Sequence, residues 1–257
     1  MGPNVYLVGF PKFDVDAFLN FLADQGVSWK RTPDASEAEE IVEAAGRICY
    51  MSFGEKQSPR TNAEYIRRLI AMEHESVLEH VNWGFVLTGV SRTFSHQLVR
   101  HRLGFAFSQL SQQYHEETDA RFVEPQLKLP AQAQAAWNRA IHTAKEAYRE
   151  ILESLTPVGG QADNDEVQKR EIRRAIRSTA RSVLPNATET KVFVTANARA
   201  LRHFFRVRGS IPGDLEMRQV SAAMLRCVKG AAPSLFADFE IETAEDGYPI
   251  VFKKPER

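Results

Sequence analysis

The segment Leu98 to His115, LVRHRLGFAFSQLSQQYH, sets Arg100, His101 and Arg102 side by side and follows them with Ser108, Gln109, Ser111, Gln112 and Tyr114. Three adjacent cationic or titratable groups repel one another and cannot share a dry core, and nearly every polar residue after them can donate a hydrogen bond. A multiply charged, oxygen-rich ligand such as a nucleotide or a dinucleotide cofactor suits that donor set, whereas the plain alternative is a solvated basic turn. A second segment, NARALRHFFRVR, puts Asn197 at a cap position, Arg199 and His203 one turn apart and Arg208 at its end. Leu201, Phe204 and Phe205 take the core face, so Arg199 and His203 point elsewhere, in the company of Arg202 and Arg206. In a third segment Arg170, Arg174, Arg177 and Arg181 recur at i, i+4, i+7 and i+11 on one helical face. A solvated stripe is the usual explanation, but Arg181 stands where the chain turns from helix to strand at VLPNATET, a better place for a site. Finally, EHESVLEH places His74, Ser76, Glu79 and His80 just ahead of a strand. Zinc is the weaker reading there, because no third ligand has suitable spacing.

There is no GxGxxG after a strand, no GxxxxGK[ST] loop and no GxSxG. Any nucleotide must then be held by arginine side chains and helix ends, and the serines are donors rather than nucleophiles. The cations support this: 23 are Arg and 10 are Lys, and Arg grips phosphate with a flat fork of donors. Against 33 basic residues stand 33 acidic ones, so no overall basic field exists to capture DNA or RNA. Cys49 and Cys227 lie far apart without metal-ligand spacing and are expected to be inert core thiols. No apolar run approaches the roughly 18 residues that span a bilayer. MGPNVYLVGF lacks the basic start and long apolar centre of a secretory signal, so a reducing cytoplasm is expected.

Several elements must position these groups. Val5 to Phe10 reads as a buried strand. Ser36 and Glu39 form a capping box for a helix to about Tyr50, with Ile41, Ala45 and Ile48 at core spacing, and Thr61 and Glu64 repeat the box before Tyr65, Leu69 and Met72. Val81, Trp83, Phe85 and Leu87 alternate along a strand; Ser91 caps a helix through Phe94 and Leu98 into the arginine cluster. Phe122 to Pro125 is a short strand, and Ala131 to Leu155 a long helix. TPVGGQADNDE is a polar hinge before a helix from Val167 to Val183. A strand over Thr188 to Thr195, the helix from Asn197 to Arg208 and one from Asp214 to about Val228 follow, and the last dozen residues read as a loose tail. Helices and strands do not alternate strictly, so an α+β fold is expected.

The chain resembles the flavin-dependent thymidylate synthases, whose motif is RHR, seven residues and Ser, continued by a short stretch ending in Arg-Tyr. The likeness extends through SVLEH at Ser76, VSR before HQLVRHR, RSVLPNATET and NARALRHFFRVR, and so spans roughly 45 to 243. The resemblance implies a single domain over 1–257 with a central, mostly antiparallel sheet, packed helices and a helical insertion at about 131–183. It implies FAD as cofactor, methylenetetrahydrofolate as one-carbon donor, NADPH as reductant, and a homotetramer whose active sites draw on several chains. By position, the FAD contacts would be His74, Ser76, Arg100, His101, Arg102, Gln109, Asn197, Arg199 and His203. The nucleotide contacts would be Gln97, Arg100, Gln109, Leu110, Ser111, Gln112, Gln113, Arg181 and Arg208. Arg208 would be the catalytic group, stabilising an N3-deprotonated uracil and so activating C5, in place of a cysteine attacking C6.

Two departures touch the substrate side. Eight residues, Leu103 to Leu110, separate Arg102 from Ser111 instead of seven, so the loop is expected to bulge in the LGFAF stretch, and Gln113 stands where the motif has Arg. A looser pocket would admit a ribose 2′-hydroxyl, which makes UMP or both UMP and dUMP the expected substrate, as in relatives from nucleoside-antibiotic biosynthesis. An ordinary dUMP-specific enzyme, with another contact compensating for Gln113, stays open, as does a catalytically silent nucleotide-binding protein.

Overall fold

A computed structural model describes residues 2–156 and 166–254. The middle of the expected hinge lies outside the described residues. The order is β1 (Asn4–Gly9), α1 (Val15–Asp24), α2 (Glu37–Ile48), α3 (Asn62–Ala71), β2 (Asn82–Ser91), α4 (Arg92–Leu98) and β3 (Phe105–Gln109). There follow α5 (Ala131–Leu155), α6 (Glu166–Ala180), β4 (Glu189–Asn197), α7 (Ala198–Arg208), α8 (Leu215–Ala231), β5 (Phe239–Thr243) and β6 (Pro249–Lys253). The fold is α+β, with one four-stranded sheet in the order β1-β2-β4-β3 and one two-stranded sheet.

The chain divides into two compact units. One holds Thr88–Val99 and Ser108–Val192; the other holds Asn4–Leu87, Arg100–Phe107 and Phe193–Arg257. In the second unit the core is aromatic. Trp83 on β2 packs on Phe236 at 5.7 Å, and Phe205 on α7 meets Phe236 and Phe239, each at 5.9 Å. Met217, Val220, Leu225 and Val228 give α8 a fully buried stripe at helical spacing. A satellite cluster joins Leu22, Trp29, Ala44 and Phe53.

Local chemistry explains the element starts. Ser36 and Glu39 cap α2 reciprocally, and Ser91, Asn197 and Asp214 accept from the backbone N–H of Phe94, Ala200 and Met217 at 3.0, 2.8 and 3.1 Å. The box expected at Thr61 is different: its hydroxyl donates to the Glu64 carboxylate and makes no cap bond to the backbone.

Further expectations need correction. The strand expected to be buried over Val5 to Phe10 is β1, which alternates exposed and half-buried residues and leaves Tyr6 and Val8 exposed. In α2 the face with Ile41, Ala45 and Ile48 is the less buried one, since Ile48 is exposed and the interior side carries Ala38, Val42 and the acids Glu39, Glu40 and Glu43. Those carboxylates are buried because each is saturated: Glu43 by Arg47 at 2.7 Å and by Asn62 at 2.8 Å, Glu40 by Arg31, Glu39 by the Ser234 N–H. Cys49 is exposed, not a core thiol. Phe122 makes only an isolated bridge to Thr188, and α1 and β3 were not anticipated.

The expected C-terminal tail is instead the antiparallel hairpin β5–β6, with Ile241 opposite Val251. Arg218 on α8 anchors its turn through two bonds to Asp246 and others to the carbonyls of Tyr248 and Pro249. Val251 N–H then donates to Gly209 O at 2.9 Å, which fixes the end of α7 immediately after Arg208.

Candidate active site

In the second unit a cavity of about 590 Å³ is bounded by Arg100 to Phe105, by Glu75 and Glu79 of a 3-10 turn, and by Asn197, Arg199, Ala200, His203 and Arg206. The amphipathic face of α7 makes this wall. Leu201, Phe204 and Phe205 are fully buried, which turns Arg199, His203 and Arg206 outward to the cavity at i, i+4 and i+7. Arg202, expected among the same cations, faces inward and holds Asp238 by two bonds of 2.7 Å. α4 ends at Leu98, so Arg100, His101 and Arg102 follow the helix rather than lie in it.

The loop from Arg102 is a tight turn. Phe105 N–H donates to Arg102 O at 3.4 Å, Leu103 is 92% exposed, and Gly104 has φ +72. Gly104 O accepts from Asn197 N–H at 3.0 Å, and a Cβ at Gly104 would stand 2.6 Å from Asn197 Nδ2. Only glycine lets the loop lie directly on the start of α7. β3 beyond the turn alternates regularly, so the expected bulge takes the form of this turn and the strand stays intact.

Arg199 donates to Glu79 at 2.5 Å and lies 3.9 Å from Glu75, and Arg206 meets His203 Nδ1 at 3.2 Å. Arg208 Nε donates to His101 Nε2 at 3.1 Å. Burial first, then the charge of Arg208 and the neighbouring His203, hold the His101 imidazole below its ordinary range. Four arginines against two carboxylates make the cavity a site for an anion, and its volume is that of a small-molecule or cofactor pocket. Its cationic wall, aromatic Phe105 and bare Gly104 backbone fit a dinucleotide diphosphate. His74 and Ser76 are exposed on the 3-10 turn and flank the cavity without lining it. Among the described residues no group of three or more His, Cys, Asp or Glu could hold a metal ion.

The remaining predicted residues lie in the first unit. Gln97 is exposed on α4. Gln109 uses its amide nitrogen on Ser95 and Thr190, both at 3.1 Å, and so ties β3 to α4 and β4 and does not line the cavity above. Leu110 N–H donates to Lys191 O, and Ser111 Oγ accepts from Gln113 N–H at 3.3 Å. Gln112 is buried with no partner for its Nε2. Arg181, half-buried, opens a 3-10 turn after α6. The arginine stripe is no free solvated face: Arg174 Nε donates to Gln113 Oε1 at 3.1 Å, and Arg177 donates to Tyr114 O and faces Glu116.

Arg92 was missed by sequence reasoning. It is half-buried, bonds Leu110 O at 3.0 Å and keeps a buried Nε without a partner. Burial lowers its pKa, Glu117 opposes that shift and Arg181 adds to it. The only sequence signal was its place in VSR, directly after a helix cap.

Residues 32–234 match the thymidylate synthase complementing protein family. The chain is 42% identical over 234 residues to the flavin-dependent thymidylate synthases of Mycobacterium tuberculosis (strain H37Ra) and Mycobacterium bovis (strain BCG / Pasteur 1173P2), covering 90% of each chain. It is 41% identical, with the same coverage, to that of Mycobacteroides abscessus. With nearly its whole length shared, the chain belongs to the flavin-dependent thymidylate synthase family.

Proposed function

We propose that the protein methylates carbon 5 of a uracil nucleotide, UMP, dUMP or both. Methylenetetrahydrofolate is the one-carbon donor, NADPH the reductant and FAD the resident cofactor. The observation that carries this reading is the hydrogen bond from Arg208 to His101 beside a strongly cationic cavity, in a chain whose thiols lie outside that cavity. Neither Cys49, exposed at the end of α2, nor Cys227 lines the cavity, and burial pushes the Cys227 thiol up, away from thiolate.

FAD, when bound, supplies the hydride. Arg100, Arg102 and Arg199 would hold its diphosphate, Arg199 exchanging Glu79 for a phosphate oxygen, while Asn197 and His203 offer further polar contacts and His74 and Ser76 flank them. On the nucleotide side Ser111 and Gln113 offer polar contacts, Gln112 has an unused donor, and Arg181 and Arg92 supply charge. Arg208 presents a positively charged guanidinium. Its charge therefore lowers the cost of removing the uracil N3 proton and leaves electron density on the ring at C5, without a covalent bond at C6. Assembly as a homotetramer is part of the proposal, and the exposed apolar side chains Tyr6, Val8 and Phe10 are surface that such an assembly would cover.

A specific observation favours the narrower reading, a dUMP-specific thymidylate synthase. Arg174 brings a guanidinium to Gln113, which would restore the charge lost from the motif. Product analysis with equal UMP and dUMP in one tube, plus methylenetetrahydrofolate, FAD and NADPH, separates the two. Appreciable 5-methyl-UMP means relaxed ribose selectivity, thymidylate alone means the narrower enzyme, and no methylated product contradicts both.

A further inference from the structure

We infer that His101 is a positioning residue for Arg208: its unprotonated Nε2 accepts the Arg208 Nε–H and aims the guanidinium, leaving both terminal nitrogens for the uracil ring. This rests on the proposed role of Arg208. Among the described residues Arg208 makes no other side-chain hydrogen bond, so the 3.1 Å bond to His101 is the sole polar restraint on its head. The restraint is stiff at both ends. The His101 ring packs edge-on against Phe204 at 5.2 Å and 85° and lies 5.9 Å from Phe105. The Arg208 backbone precedes Gly209, which the β6 hairpin holds through Val251.

Acceptance by Nε2 requires the proton on Nδ1, so His101 must be neutral to do this work. Burial keeps it so first, and Arg208 and His203 add to that. Arg208 and His203 come from α7, Arg100 and Arg102 flank it in the chain, and the Glu75 and Glu79 carboxylates of the shared cavity are already engaged by Arg199. Protonation would remove the acceptor and set two cations about 3 Å apart, and the Arg208 head would swing away.

The test uses the flavin-loaded enzyme, with kcat and KM for the nucleotide measured from pH 5 to 9 and flavin occupancy read by absorbance. His101→Phe keeps the ring packing and removes the acceptor. His101→Gln keeps an acceptor oxygen at similar reach and cannot be protonated. Expected is a loss of roughly 10- to 100-fold in kcat for His101→Phe, compared at full flavin loading whatever its flavin affinity, with KM for the nucleotide little changed. His101→Gln should retain most of the neutral-pH kcat and lose the fall of kcat at acid pH. Wild-type kcat in fully loaded His101→Phe, or an unchanged acid limb in His101→Gln, overturns the inference.

Should His101→Phe fail to fold or to take up flavin, two other readouts decide. One is the His101→Gln profile. The other is the nitrogen spectrum of ¹⁵N-histidine-labelled protein, where His101 shows an unprotonated Nε2 at pH 7 and its titration moves upward in Arg208→Ala. An Nε2–H tautomer refutes the positioning role. Full turnover by Arg208→Ala instead refutes the proposed role of Arg208, whereas an inactive Arg208→Ala beside a fully active His101→Phe refutes the positioning alone.

Discussion

Replacing Gly104 by alanine perturbs the contact on which the cationic cavity is built. At φ +72 an alanine costs about 1 kcal/mol in backbone conformation alone. The new Cβ would lie 2.6 Å from Asn197 Nδ2 and 2.8 Å from the Ala200 Cβ. Asn197 can yield only by rotating its carboxamide, which withdraws the cap from Ala200 N–H at a further cost of about 1 kcal/mol. Ala200 is backbone-fixed on α7, so relieving that contact displaces loop or helix at about 1–3 kcal/mol. The sum is about 3–5 kcal/mol. Gly213 supplies the control: its φ is +77 but a Cβ there meets nothing within 4 Å, so Gly213→Ala should cost only the backbone share of about 1 kcal/mol. Urea midpoints of the two variants, with slopes compared, measure the difference, and flavin titration of Gly104→Ala should show weakened uptake. Equal costs at the two positions, with flavin affinity unchanged, would refute the reasoning.

Glu43→Gln unpairs the fully buried Arg47 and should cost about 3–5 kcal/mol, whereas Lys169→Ala, which breaks an exposed pair with Glu166, should cost under about 0.5 kcal/mol in the same denaturation experiment. His101 titrates near 6.5 in the unfolded chain and lower in the folded one, so below that pH the unfolded state takes up the extra proton. Stability should be full above about pH 6.5 and decline as pH falls through it, with a shallower decline in His101→Gln; a steeper decline in that variant would reverse the assigned direction. If Arg174 replaces the charge missing at Gln113, Arg174→Ala raises KM for the nucleotide with little change in kcat, and adding Gln113→Arg restores it. An unaltered KM in Arg174→Ala would show that the Arg174–Gln113 bond is structural only.

The helices that carry the cavity were legible because their starts are local chemistry. Asn197, Ser91 and Asp214 each bond the backbone N–H three residues on, and Leu201, Phe204 and Phe205 sort α7 into a core face and a cavity face. The hairpin was missed although Asp246–Gly247 is a turn dipeptide, because its anchor, Arg218, lies 28 residues away. α1 also had its signal, Asp14 followed by Val15, Phe18, Leu19 and Leu22 at helical spacing. Long-range partners were not legible. Nothing near Glu43 announces burial with Asn62, and nothing near Arg174 announces Gln113, 61 residues away. The bonds from the Gln109 amide nitrogen to Ser95 and Thr190, 14 and 81 residues away, were equally hidden.

The central claim is activation of the uracil ring by a fixed charge and not by a thiolate. It is tested most directly by single-turnover formation of 5-methylated nucleotide in flavin-loaded enzyme, comparing the Cys49→Ala/Cys227→Ala double variant with Arg208→Ala. The account predicts product from the thiol-free variant within about threefold of the unaltered protein and a loss of more than about 100-fold in Arg208→Ala. Loss of product on removing the thiols, or its persistence without Arg208, would contradict it.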